Sequence, residues 1–217
     1  MSIQSQQKPI RSKQDLAVYL SKLKSFENPS MELEQYATPS QIAATWVWEM
    51  AMHSEVVGKR VLDAACGPGI LGIGLLILGA RHVYFLDKDP KILAICKQNY
   101  HQTAKEYEIG TADFLDVDIR LFDGDVDVVV QNPPFGTKTE HIDKAFLEKA
   151  FAVAPLVYSM HKNSTTQFVE AMARDHGFTI TNFTRYDFPI KATFEYHTKP
   201  VINVDVGLWR MEKKEKR

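Results

Sequence analysis

The run Arg60-Val61-Leu62-Asp63-Ala64, followed by Gly67-Pro68-Gly69 and the apolar stretch Ile70 to Leu78, constrains this chain more than any other feature. It reads as a short buried strand, a glycine turn and a helix stopped by Gly79. The alternation then continues. His82 to Leu86 is a strand stopped at Asp87, Pro90 to Lys105 a helix, and Tyr107 to Ala112 a third strand. Val126 to Gln131 is a fourth strand, Ile142 to Ala152 a helix, Leu156 to Met160 a fifth strand, and Thr165 to His176 a helix closed by Gly177. Phe178 to Tyr186 and Val201 to Trp209 alternate apolar and polar residues, the period of two antiparallel strands. Strands alternating with helices predict an α/β domain, a parallel sheet with helices on both faces. Ligands in such a sheet sit at the carboxyl ends of the strands.

Upstream, Ser12 to Lys24 carries Leu16, Tyr19, Leu20 and Leu23 at helical spacing, with Ser12 or Asp15 as cap candidates. Pro39 suits the first position of a second helix, capped by Thr38 and running to about His53. The expected division is a polar tail and helix over 1–30, the main domain over 31–210 and a charged tail over 211–217.

The bulk properties exclude several classes. The chain has 217 residues, 45% hydrophobic and 24% charged, which suits one globular domain with a real core. No apolar stretch approaches membrane-spanning length and the N-terminus has no secretory pattern. Cys66 and Cys96 stand alone and the histidines show no ligand spacing, so no metal is assigned and a cytoplasmic setting is expected. The net charge of −1 is uneven: residues 37–135 are acidic and 136–217 basic, which is compatible with contact to a nucleic-acid backbone.

Two motifs carry chemistry. Asp63 lies before the turn Cys66-Gly67-Pro68-Gly69, and Asp87 follows the second strand. Gly67-Pro68-Gly69-Ile70-Leu71-Gly72 satisfies the dinucleotide fingerprint, but the charge of Asp63 would repel a pyrophosphate. A ligand with an ammonium group and no phosphate suits it, and S-adenosylmethionine (SAM) is such a ligand. Asp87 can accept from ribose hydroxyls. Asp113, with the amide of Phe114, is placed to receive the adenine ring. The second motif is Asn132-Pro133-Pro134-Phe135 at the end of the fourth strand. Prolines lack an N–H, so the Asn132 side-chain oxygen and the Pro133 carbonyl can accept both hydrogens of a planar amine while Phe135 stacks on its ring. A proline-terminated strand and turn is the plain alternative.

The pattern Gln35-Tyr36-x-Thr38-Pro39, Asp63-x-x-Cys66-Gly67-x-Gly69, Asp87, Asp113 and Asn132-Pro133-Pro134-Phe135 resembles the class I SAM-dependent methyltransferases of adenine N6. With Gly136-Thr137-Lys138, Ala145-Phe146-Leu147, Val157-Tyr158-Ser159-Met160-His161-Lys162 and Arg185-Tyr186-Asp187-Phe188-Pro189, it is similar to the archaeal and eukaryotic methyltransferase-like-five group over residues 30 to 210. The resemblance implies a Rossmann-like, mostly parallel seven-stranded sheet with an antiparallel C-terminal hairpin. It implies methylation of one adenine N6 in small-subunit ribosomal RNA. Gln35, Tyr36 and Thr38 are expected to close over the cofactor. A small zinc-binding activator subunit accompanies eukaryotic members, and the third strand, at the sheet edge, is the expected place for one. Lys138, Lys162, Arg185 and Lys191, with His161, fall near one sheet edge and are candidates for phosphate contact; Tyr186, Phe194 and Tyr196 could stack on flanking bases or fill core. Competing readings are methylation of a protein glutamine amide, of a DNA adenine, or a SAM-binding partner subunit without activity.

Overall fold

The computed structural model describes residues 9–27, 29–30, 34–135, 142–191 and 201–214. Seven strands form one sheet: β1 (Arg60–Ala64), β2 (His82–Leu86), β3 (Thr111–Leu115), β4 (Val128–Gln131), β5 (Leu156–Lys162), β6 (Phe178–Lys191) and β7 (Val201–Lys213). Their spatial order is β3-β2-β1-β4-β5-β7-β6. The first five are parallel, and β7 runs antiparallel between β5 and β6. Sequence order reverses between β1 and β4, so the loops leaving these two strands diverge and open a crevice at their carboxyl ends.

The helices are α1 (Lys13–Leu20), α2 (Ser40–Met52), α3 (Ile70–Ile77), α4 (Pro90–Glu106), α5 (Ile142–Val153) and α6 (Thr166–Asp175). One apolar cluster joins α1, α2 and α3 to one face of the sheet through Leu20, Trp46, Val47, Leu75, Val128 and Val130. A second joins α5 and α6 to the other face through Leu62, Val129, Leu147, Val157 and Trp209. Val61, Leu62, Val128, Val129 and Val130 are at most 1% exposed, as expected for central parallel strands covered on both sides.

Several boundaries differ from the sequence reading. The third strand is Thr111–Leu115, so Tyr107 and Ile109 precede it and pack on the core as irregular chain. Its residues are exposed or half-buried, giving β3 little apolar alternation to announce it. Strand β6 continues through Pro189, which is tolerated because β6 is an edge. Strand β7 runs to Lys213 with Met211 fully buried, so the expected tail over 211–217 begins inside the sheet. The helix in the expected 1–30 segment is part of the main core, with Leu16, Ala17 and Leu20 buried.

Ser12 caps α1, its hydroxyl accepting the Asp15 N–H. Helix α2 begins one residue later than expected. Pro39 is its N-cap, with no side-chain capping bond, and the Thr38 hydroxyl is released for other use.

Between α1 and α2, Phe26, Gln35, Tyr36 and Thr38 border the crevice, and Lys24 is pinned to α4. Asn99 on α4, 3% exposed, accepts the Lys24 N–H at 2.9 Å and donates Nδ2 to the carbonyls of Lys24 at 2.9 Å and Pro68 at 3.0 Å. One amide thus ties the N-terminal segment, α4 and the glycine turn together. Asn99→Ala leaves these buried backbone groups unpaired, and its unfolding free energy in a urea titration is expected to fall by about 2–3 kcal/mol.

Candidate active site

An open cleft, with about 860 Å³ of empty space when the solvent at its mouth is counted, lies at the crevice between the β1 and β4 loops. Its wall includes Asp63, Cys66, Gly67 and Asp87 on one side and Asn132 and Pro134 on the other, with Gln35, Tyr36 and Thr38 across the top.

The glycine turn shapes the first side. Gly67 and Gly69 have φ of 52° and 87°, in the left-handed region open to glycine. A Cβ on Gly69 would meet the Cys96 Sγ at 2.4 Å, and one on Gly67 would meet the Phe26 ring at 3.0 Å. Ala65 also has a positive φ of 56°, a strained position for a residue with a Cβ, in the loop that bends over the cavity.

Asp63 is 1% exposed and its Oδ2 accepts the Gly72 N–H at 2.8 Å. Burial pushes its pKa up to about 7; the Gly72 N–H opposes this and the nearby Asp87 adds to it. A buried carboxyl on a cavity wall with no cation beside it among the described residues is suited to a positively charged ligand group. Asp87 is also raised by burial, while the N–H groups of Asp89 and Gly67 hold it back. Its two oxygens accept those N–H groups at 3.0 and 2.9 Å, which orients the carboxylate toward the cavity with lone pairs left for hydroxyl donors. Asp89 caps α4 through the Lys91 N–H and accepts Gln35 Nε2 at 2.8 Å, and Gln35 Oε1 accepts the Ser30 N–H at 2.8 Å. The donor set fits a cofactor with an ammonium group, hydroxyls and no phosphate. Cys66 and Cys96 are buried, which raises both thiols and keeps them protonated.

On the second side, Asn132 Nδ2 donates to Thr38 Oγ1 at 3.0 Å, and Asn132 Oδ1 is buried without a partner. An unpartnered buried carbonyl oxygen on a cavity wall is an acceptor awaiting a donor. Pro133 is buried, and Phe135 is half-buried outside the cavity lining. The Phe135 ring meets Phe188 of β6 edge-on, with centroids 6.4 Å apart, and the Lys162 ammonium lies 5.7 Å from its centroid.

The structure separates other predicted residues from the cavity. Asp113 and Phe114 are within β3 rather than after it, because the strand starts four residues late. The Asp113 carboxylate, 61% exposed, lies 3.4 Å from His82 Nε2, and Phe114 stacks on Phe85 at 5.3 Å. Val117, Asp118 and Ile119, beyond β3, line the cavity in their place. The sequence signal was the apolar pair Val117 and Ile119 within an otherwise acidic loop. Phe26 and Phe146 also line the cavity, brought there by long-range packing that no local pattern announces.

Arg185 pairs with Asp205 through two hydrogen bonds, so its guanidinium is engaged. His161 is 2% exposed; burial lowers its pKa to about 3, which makes it a neutral core residue rather than a phosphate contact. Tyr186 buries its hydroxyl and packs on the core beside the hairpin. Lys138, Phe194 and Tyr196 lie outside the described residues, as does the side chain of Lys191. Among the described residues no His, Cys, Asp and Glu cluster could hold a metal, and no helix is long and apolar enough to cross a membrane.

Comparison with known proteins gives this site its family. The methyltransferase small domain matches residues 44–161. The rRNA N(6)-adenosine-methyltransferase Mettl5 of Drosophila melanogaster is 33% identical over 205 residues, 91% of this chain and 94% of the fly protein. An uncharacterised protein of Methanocaldococcus jannaschii, MJ0284, is 33% identical over 208 residues, 93% of this chain and 94% of its own. The crystal structure of PH1948 from Pyrococcus horikoshii superimposes with a TM-score of 0.85 at 34% identity, covering 93% of this chain and 97% of that one. With the family model spanning more than half of the sequence, and Mettl5 matched over nearly its whole length, the chain belongs to the methyltransferase small domain family, together with the Mettl5 rRNA N(6)-adenosine-methyltransferases.

Proposed function

We propose that this protein transfers a methyl group from SAM to the N6 of an adenine in small-subunit ribosomal RNA. The observation that carries the reading is the buried, unpartnered Asn132 Oδ1 on the wall of the same cavity that holds Asp63 and Asp87. SAM supplies an electrophilic methyl group carried on a sulfonium. The rest is done by the chain. Asp63 holds the ammonium end of the cofactor and Asp87 the ribose hydroxyls. The backbone at Gly67 and Gly69 approaches the ligand closely because neither residue has a Cβ. Asn132 Oδ1 and the Pro133 carbonyl accept the two N6 hydrogens of the flipped base. An aromatic amine is a poor nucleophile because its lone pair is spread into the ring. Two acceptors on its hydrogens favour a pyramidal nitrogen with that pair aimed at the methyl, and they stabilise the positive charge that develops there. The amine sheds its proton after transfer, so no general base is required. Phe135 stacking contributes about 1–3 kcal/mol to holding the unstacked base. Lys162, beside that ring, is the proposed phosphate contact. The setting is cytoplasmic.

A small zinc-binding activator is the proposed partner, docked on the open edge of β3. The Thr111 N–H and the Leu115 carbonyl are bonded toward β2, so the backbone groups of Ala112 and Phe114 face outward.

Three outcomes follow. Incubated with labelled SAM and, separately, small-subunit RNA, genomic DNA and release factor, the protein with its activator is expected to label N6-methyladenosine in RNA alone. Asn132→Ala is expected to lose that label by about 10²-fold or more while still binding SAM. Label in glutamine or in DNA would move the same chemistry to another amine.

The second concerns pH. A carboxyl whose folded pKa is raised holds its proton longer in the empty protein, so the stability it contributes falls as pH rises from the ordinary 3.8 toward about 7. A bound ammonium favours the ionised form. Affinity for SAM is therefore expected to weaken by up to about tenfold per pH unit below 7, with proton release on binding. Calorimetry in buffers of different ionisation enthalpy checks this, and Asp63→Asn should bind weakly with the acid limb gone.

Third, Ala112→Pro removes one outward N–H without touching the β2 ladder. It should abolish co-purification of the activator and leave SAM binding intact.

A further inference from the structure

Thr38 occupies an unusual position for a helix-entry threonine. Pro39 is the N-cap of α2 and no side chain caps that helix, so the Thr38 hydroxyl is spared. It is 9% exposed, lines the cavity, and its oxygen accepts the Asn132 Nδ2–H at 3.0 Å. Among the described residues it makes no other hydrogen bond, so its one proton remains to be given. The segment that carries it is fixed on the cofactor side as well, because Gln35, three residues earlier, donates to Asp89.

A hydroxyl is both donor and acceptor. While its proton is uncommitted, Thr38 can face either end of the Asn132 carboxamide. If the amide turned over, its NH2 would point at the substrate amine, donor against donor, and the receptor would fail. Once the Thr38 O–H donates its hydrogen bond to an acceptor in the cavity, the hydroxyl can only accept from Asn132. The amide is then held with Nδ2 toward Thr38 and Oδ1 toward the substrate. A cofactor that brings a carboxylate into this cavity supplies such an acceptor.

We propose that Thr38 is a positioning residue that couples the two halves of the site: its hydroxyl donates a hydrogen bond to the carboxylate of the cofactor, and this locks Asn132 in the orientation that receives the substrate amine. The inference rests on the adenine-N6 reading for the identity of the amine. It makes cofactor binding and substrate binding mutually supportive, with a coupling that runs through one hydroxyl and one amide.

The test measures the affinity of a small-subunit rRNA fragment with and without saturating S-adenosylhomocysteine, which carries the carboxylate but no transferable methyl. The wild-type protein with its activator is expected to bind the RNA about 5- to 10-fold more tightly in its presence, the worth of one hydrogen bond. Thr38→Val should reduce that ratio to about one, while Thr38→Ser, which keeps the hydroxyl, should retain it. Asn132→Asp gives a side chain with two equivalent acceptor oxygens and no orientation to lock, so its ratio should also fall to about one. Thermal melting identifies any variant that has not folded, and Thr38→Ala then replaces Thr38→Val. A ratio near one in the wild type, or an undiminished ratio in the folded Thr38 variants lacking the hydroxyl, overturns the coupling. The adenine reading fails separately, by the absence of N6-methyladenosine from RNA treated with the wild-type protein.

Discussion

The pairing of β1 with β4 is the interaction on which the site depends. Val61 to Ala64 lie in parallel register with Val128 to Gln131. The two strands are buried on both faces, and they are adjacent in space although 63 residues of chain lie between Ala64 and Val128. One strand therefore ends at the loop that leads to Gly67 and the other at Asn132, side by side. The loops turn apart because the chain passes from β1 to one half of the sheet and later returns to the other. The proposed cofactor cradle and the proposed amine receptor thus share one crevice as a consequence of strand order alone.

The two sides of the crevice solve opposite electrostatic problems. On the cradle side, Asp63 and Asp87 are carboxylates in poor solvation, held by backbone N–H groups and raised in pKa by their burial. That arrangement is unfavourable in the empty protein and is relieved by a cation. On the receptor side, the Asn132 oxygen is neutral and unpartnered, and it is relieved by a donor. Each half carries a desolvated group whose missing partner, in the proposed function, is supplied by a ligand, and the N-terminal segment touches both through Gln35 and Thr38. Such groups lower stability in the empty state and give selectivity for the ligand that completes them.

The architecture was legible where a physical pattern is local. The apolar runs at 60–64, 82–86 and 126–131, each followed by a turn or an acid, announced the central strands, and the period-two stretches announced the hairpin. Reading failed where the pattern was weak or shared. Strand β3 is an exposed edge with little alternation, while Tyr107 and Ile109 are apolar because irregular chain packs there on the core. Asp113 and Phe114 accordingly lie within the strand, and Val117 to Ile119 follow it on the cavity wall. His161 and Arg185 looked alike as basic residues near one edge, yet one is a neutral buried ring and the other is paired with Asp205.

By itself the sequence determined the chemistry available: an acid before a glycine turn, an acid after the next strand, and an amide followed by two prolines and an aromatic ring. These depend on residue type and on spacing along one strand and loop, both of which are local. Tertiary structure alone decided which of these groups would meet, and in what state. Thr38 reads as a helix cap and becomes the acceptor for Asn132, 94 residues away. Asn99, one polar residue among many on α4, is buried there and becomes the clasp of the N-terminal segment. The physical reason is that hydrogen-bond partners and burial are properties of space. A polar side chain in a sequence has many possible partners, and only the packed sheet removes water and leaves it one.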